Sequence, residues 1–140
     1  MDKKDSAIIG KLKEDSRLSV REIARGTGLR PSTVHQRIQK LRHERVIERF
    51  TVKLDNNKAD EGFIVFMFVK TKPSVNLGTG ILENPHVKEV FGITGEHDLL
   101  MKLKFKDVVE FNDYLLKFRK GEKVETTHTM VVTATIKEEM

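Results

Sequence analysis

The chain has 140 residues, 38% hydrophobic and 34% charged, with no cysteine, no tryptophan and a formal net charge of +5. It can bury a core, but it can build no disulfide framework, zinc-thiolate cluster or thiol chemistry, and no apolar run approaches the roughly 18 residues of a membrane helix. The basic excess is uneven: residues 1–60 hold 15 Lys and Arg against 9 Asp and Glu, leaving 11 against 12 beyond them, the footprint of a nucleic-acid module joined to a part with another task.

Residues 2–15, DKKDSAIIGKLKED, place Ile8, Ile9 and Leu12 on one side of a helix, with Asp2 or Asp5 available to cap it. The opening residues MDKKDSAII contain no apolar signal region, which points to the cytoplasm. A second helix begins at Ser19 and Glu22, an S-x-x-E capping box, and takes Ile23 and Ala24 as its apolar face. Gly26 and Gly28 end it, because glycine accepts the left-handed backbone that closes a helix. Leu29 is left to fill the space before Pro31, a residue favoured at the first position of a helix.

From Pro31, Val34, Ile38 and Leu41 recur at helical spacing, which predicts a third helix with one buried stripe. At about 100° per residue, Ser32, Gln36, Gln39, Lys40 and His43 point the opposite way, flanked by Thr33, His35 and Arg37. Short hydroxyls, amides and cations are the groups that bond base edges and phosphates in a major groove. Ser32, Thr33, Gln36 and Gln39 are therefore expected to read bases in duplex DNA, and Arg30, Arg37, Lys40 and Arg42 to neutralise phosphates, with His35 beside them. A polar face can serve solvation alone. The short Gly turn followed by Pro-Ser-Thr is narrower than amphipathicity and favours a helix-turn-helix.

Residues 46–54 alternate around Val46, Ile47, Phe50, Val52 and Leu54 and read as a short strand, hairpin or wing leading to a polar break over residues 55–61. The run GFIVFMFVKT, residues 62–71, reads as a strand apolar on both faces, so a helix is expected to cover one and a second subunit the other. Residues 73–84 are ambiguous, with Ile81 and Leu82 suggesting a short helix near Gly78 and Gly80. Strands are expected at 86–94 and 99–105, a helix from the Asp107 cap through Val108, Phe111, Leu115 and Phe118 to Gly121, and a last strand at 124–136. The pattern β-α-β-β-α-β is ferredoxin-like, an antiparallel sheet with helices on one face and an open face that a second copy would bury. The expected organisation is α+β, with a DNA-binding unit at 1–50, a strand or linker at 51–61 and the ferredoxin-like domain at 62–140.

With both halves in view, nearly the whole chain resembles the Lrp/AsnC, or feast/famine, family of prokaryotic transcription regulators. The N-terminal pattern is matched by Asp5, Ile8, Ile9, Leu12, Asp15, Arg17, Pro31, Ser32, Val34, Arg37 and Leu41, and the C-terminal Thr-Gly-x-x-Asp turn by Thr94, Gly95, Glu96, His97 and Asp98. The resemblance implies a winged helix-turn-helix joined to a ferredoxin-like, RAM-type effector and oligomerisation domain, homodimers or octamers, and a free amino acid as effector. Arg30 stands where such proteins commonly carry a capping Ser, which forgoes roughly 1 kcal/mol but adds a cation near DNA. Arg45 replaces a usual Gly at the exit of the recognition helix, and His97 a usual aromatic before the signature Asp.

That turn has two readings. Gly95 leaves room for a carboxylate at backbone amides, Asp98 offers a charge for an α-ammonium group, and Glu96 and His97 could repel or reshape a ligand. Equally, Asp98 could cap backbone amides in an ordinary turn. An acylphosphatase-like enzyme is disfavoured, since Arg119 is the only Arg after residue 60 and adjoins no Gly-rich phosphate loop. His35, His43, His86, His97 and His128 show no metal-ligand spacing, so neither metal nor cofactor is expected. The remaining rival is an architectural DNA-binding protein with no effector.

Overall fold

Three helices make up the first of two units, Met1–Lys53, in a computed structural model that describes residues 1–73, 78–121 and 123–139. Helix α1, Lys3–Glu14, starts in a capping box in which Asp2 accepts from the Asp5 N–H at 2.9 Å and Asp5 accepts from the Asp2 N–H at 3.1 Å. Helix α2, Val20–Thr27, starts in a second box built by Ser19 and Glu22 and ends at Gly28, whose φ of 70° is the left-handed value expected of it. Helix α3, Pro31–His43, has Arg30 at its N-cap with no side-chain cap bond, so the capping contribution that a Ser would make there is absent. Ile8, Ile23, Ala24 and Val34 form the core of the unit, with Leu12, Leu18, Val20, Leu29 and Ile38 packed around it. Each fully buried aliphatic side chain contributes about 1.5–3 kcal/mol.

The exit of α3 retains the geometry of a glycine turn although Arg45 occupies it. The Arg45 N–H donates to the Arg42 carbonyl and the Val46 N–H to the Leu41 carbonyl, the paired bonds of a Schellman motif, with Arg45 at φ 56°. Residues 46–54, expected to form a strand or wing, contain none. Alternation supplies a face but no hydrogen-bonding neighbour, and without one a strand is not stable. The segment leaves Val46, Phe50, Val52 and Leu54 exposed.

The second unit, Leu54–Met140, carries a four-stranded sheet in the order β2-β3-β1-β4, with every neighbouring pair antiparallel. Its elements are β1 Phe63–Thr71, α4 Thr79–Glu83, β2 Val87–Gly92, β3 Leu99–Phe105, α5 Val108–Arg119 and β4 Val124–Val131, the ferredoxin-like arrangement. Part of the ambiguous stretch, residues 74–77, lies outside the described residues; α4 follows it. One sheet face, Val65, Met67, Val69, Leu99, Met101, Leu103 and Phe105, packs against Phe111, Tyr114, Leu115 and Phe118 of α5. Strand β4 stops short of the expected residue 136. Val65 pairs with Val131 and the Val132 N–H donates to the Ile64 carbonyl, where the pairing with β1 ends.

The opposite face is only partly open. Phe91, Leu100, Phe68 and His128 form one row across the four strands, and Glu89, Lys102, Phe66 and Met130 the next. Beyond them the chain's own segments reach over the sheet. Asn56 and Glu138 meet Lys104, and Glu61 pairs with Lys88. The expectation of a wholly open face is corrected accordingly: the charged end is covered from within, while the row containing Phe91, 51% exposed, is not.

A left-handed backbone costs a non-glycine residue about 1–2 kcal/mol, partly offset by the larger chain entropy of glycine in the unfolded state. Arg45 is exposed, so Arg45→Gly loses no packing and is expected to stabilise the first unit by on the order of 1 kcal/mol. Thermal or urea unfolding followed by circular dichroism checks this; a destabilised variant would show that the guanidinium makes a compensating contact.

Candidate nucleic-acid interface and ligand turn

Val34 and Leu41 anchor α3 to the core of the first unit, and that anchoring turns Ser32, His35, Gln36, Gln39, Lys40, Arg42 and His43 to the surface. Thr33 is half-buried beside them. Lys40 lies 3.8 Å from Glu44, but both side chains are exposed and such a pair contributes little, so the ammonium stays available to another anion. Arg42 carries its guanidinium carbon 5.8 Å from the centre of the Phe50 ring, a cation-π contact that orients the side chain across the exit of the helix.

Arg37 is engaged differently from the phosphate contact expected of it. Its Nη1 donates to Asp2 Oδ2 at 2.6 Å and to Asp5 Oδ1 at 2.9 Å, joining the N-terminus of α1 to the middle of α3. Asp5 is only 6% exposed, and its burial is explained by this pairing together with the capping box. The sequence supplies both partners, but nothing in the spacing from residue 2 or 5 to residue 37 brings them together. The Asp5 N–H first and the Arg37 guanidinium second hold the Asp2 carboxyl at about 2, below its ordinary 3.8; Asp5 is lowered for the corresponding reasons.

In the second unit the turn between β2 and β3 contains Thr94, Gly95, Glu96, His97 and Asp98. Gly95 has φ 110°, a conformation unfavourable to side chains, which accounts for glycine there independently of any ligand. Asp98 Oδ2 accepts from the Thr71 N–H at 2.8 Å and the Thr71 hydroxyl at 2.9 Å, and these two bonds, in that order, lower the pKa of the carboxyl. The Asp98 N–H in turn donates to the Val69 carbonyl. Asp98 thus ties the turn to the end of β1, the capping role considered alongside ligand contact. Thr94 and Glu96 are exposed, while the His97 ring lies 5.5 Å from Phe68 and 6.5 Å from His128, at one end of the open row of the sheet. Sequence reasoning missed a second polar cluster, Asn56, Lys102, Lys104 and Glu138. Alternation put both lysines on one face, but the partner carboxylate lies 34 residues beyond Lys104.

Both carboxyls of the clamp are lowered, Asp2 to about 2, so the contribution of Asp2 to stability is present above its ordinary 3.8 and is lost as pH falls through about 2. Carboxyl titration followed by NMR is expected to show Asp2 half-protonated near 2; a midpoint at its ordinary 3.8 would mean that the clamp does not form in solution.

Comparison with known proteins yields matches over both units. The AsnC-type helix-turn-helix domain matches residues 1–42 and the Lrp/AsnC ligand binding domain residues 64–140. The HTH-type transcriptional regulator FL11 of Pyrococcus horikoshii is 36% identical over 99% of this chain and 93% of its own length, and that of Pyrococcus furiosus 34% identical with the same coverage. Among solved structures, LrpC of Bacillus subtilis superimposes with a TM-score of 0.90 at 25% identity, covering 98% of this chain and 97% of that one. A Neisseria meningitidis transcriptional regulator in complex with L-Met shares the fold with a TM-score of 0.93 at 24% identity, over 99% and 94%.

Proposed function

This chain belongs to the Lrp/AsnC family of DNA-binding transcription regulators and is not an enzyme, and from that premise we propose how it reads DNA and answers a small molecule. The observation that carries the reading is the exposed polar face of α3 in the more basic half of the chain. Ser32, Thr33, Gln36 and Gln39 face base edges in the major groove, while Arg30, Lys40 and Arg42 neutralise phosphates, with His35 beside them. Arg37 acts from behind, holding α1 against α3 through Asp2 and Asp5.

The row of exposed Phe91 and half-buried Leu100 and Phe68 supports a homodimer through the uncovered part of the sheet, since contiguous apolar side chains left accessible mark contact surfaces. Two copies then present two α3 helices to half-sites about 34 Å apart or a multiple of it. No helix among the described residues is long and apolar enough to cross a membrane, and we place the protein in the cytoplasm with its DNA. The effector is an amino acid bound at the turn of residues 94–98, a reading supported by the Lrp/AsnC ligand binding domain match and by the L-Met complex of the Neisseria relative. The bonds from Thr71 to Asp98 favour a second reading, an effector-independent architectural protein in which the turn is structural.

Fluorescence anisotropy on labelled duplexes tests the DNA reading. Lys40→Ala is expected to weaken all sequences and flatten the salt dependence by about one counterion, and Gln36→Ala to cost about 1–3 kcal/mol on the preferred site only. Arg37→Ala is expected to loosen α1 without that change in salt slope. A folded, oligomeric sample with no salt-dependent affinity for DNA would sink the assignment of α3.

Calorimetry with the standard amino acids separates the two effector readings. One of them is expected to bind the wild type and to bind Asp98→Ala more weakly. Equal binding to both would restrict Asp98 to holding the turn, and no binding at all would favour the architectural protein.

A further inference from the structure

Strand β3 places Lys102 and Lys104 on the face away from α5, two residues apart and therefore side by side. Their side chains are only 13% and 11% exposed. Two cations held that far from water need a counter-charge. Glu138 supplies it: one carboxylate oxygen lies 2.6 Å from Lys102 Nζ, and the other is 3.0 Å from Lys104 Nζ and 3.1 Å from Asn56 Nδ2. Asn56 Oδ1 accepts from Lys104 at 2.7 Å, which fixes the orientation of the amide. Both oxygens of one carboxylate are thus recognised by three donors from two different segments, and Glu89 reaches Lys102 only at 4.0 Å.

Host and guest are unlike in structure. Both lysines stand on a central strand of the sheet, whereas Glu138 belongs to residues 132–139, which form neither strand nor helix. That segment has little apolar anchorage, for Ile136 is 93% exposed. Its last backbone bond to the sheet runs from the Val132 N–H to the Ile64 carbonyl, six residues before Glu138. Segments with few buried contacts open at low free energy. The carboxylate in its cradle ties the end of the chain to the sheet.

We propose that Lys102, Lys104 and Asn56 form a binding site for a small organic carboxylate, occupied in the free chain by Glu138 as an internal ligand. A carboxylate that takes its place releases residues 133–139 from the sheet. The site is separate from the turn of residues 94–98, because Lys104 stands six residues along β3 from Asp98, about 20 Å of strand. It does not rest on the effector reading above and can fail or hold independently of it. A tether of six residues keeps Glu138 at an effective concentration of roughly millimolar or higher. Free carboxylates therefore compete poorly with the intact chain and well with one lacking that side chain.

The test is Glu138→Ala in the full chain, with thermal unfolding followed against sodium acetate or sodium succinate and against sodium chloride at matched ionic strength. Carboxylate is expected to raise the midpoint of the variant saturably beyond chloride. The wild type should need at least ~10-fold more, given the tethered competitor. Adding Lys104→Ala should abolish the difference between carboxylate and chloride. If Glu138→Ala responds to acetate and succinate only as it does to chloride, the proposal is overturned and the cluster is an ordinary structural ion pair. Should that variant fail to fold, Glu138→Gln, with its neutral and weaker internal rival, gives the same two outcomes in the same titration.

Discussion

The central strands β1 and β3 must be covered on both faces, and most of the second unit is arranged around that requirement. Strand β3 alternates Leu99, Met101, Leu103 and Phe105 with Leu100, Lys102 and Lys104, so covering its first face takes one apolar helix, which α5 provides. The second face cannot be covered in the same way, because it is apolar at one end and cationic at the other. Carboxylates and an amide from the flanks of the strands take the cationic end, where Asn56 and Glu138 meet Lys104 and Glu61 meets Lys88. The apolar end, Phe91, Leu100 and Phe68, has no such partner within the described residues, and it is the part the proposed homodimer would cover.

The first unit faces a different constraint. A core built on Ile8, Ile23, Ala24 and Val34 is small for three helices, and small domains have little stability to spare. The polar additions to it are therefore structural: two capping boxes, a left-handed exit turn at Arg45 and the clamp of Arg37 on Asp2 and Asp5. The clamp engages one cation of α3 with carboxylates of α1 while holding the helix that carries the others. Positive charge on α3 thus divides between a half-buried Arg37 that orients the helix and the exposed Arg30, Lys40 and Arg42, to which the proposed reading gives the phosphates.

Much of this was legible in the sequence wherever a local rule acts alone. The cap offered by Asp2 or Asp5, the box at Ser19, Pro31 at the start of α3, the Asp107 cap and the strict alternation of residues 99–105 each mark an element within a few residues of where it lies. Legibility ended where a segment needs a distant partner. Residues 46–54 and 132–136 have strand-like composition, but they form no strand, and past the Val132 N–H the bonding of the second stretch to β1 stops. The joining of Arg37 to Asp2 and Asp5, and of Glu138 to Lys102 and Lys104, spans more than 30 residues of chain and leaves no periodic trace. The turn of residues 94–98 was legible only by resemblance, because a Gly-x-x-Asp sequence serves a cap and a ligand site equally well.

That same turn limits how any ligand there can act on DNA. A ligand shifts an equilibrium only by its difference in affinity between two states. Asp98 is bonded to Thr71 and Val69, and the ring of His97 lies against Phe68, so the turn is tied to the end of β1. Strand β1 carries Phe66 and Phe68 on the face away from α5. A molecule that moves Asp98 or His97 consequently alters the end of β1, and under the homodimer proposed above that change reaches the second copy and the spacing of its DNA-binding helices. A ligand that leaves the Asp98–Thr71 bonds and the His97 ring in place has no such route through these residues, however tightly it binds.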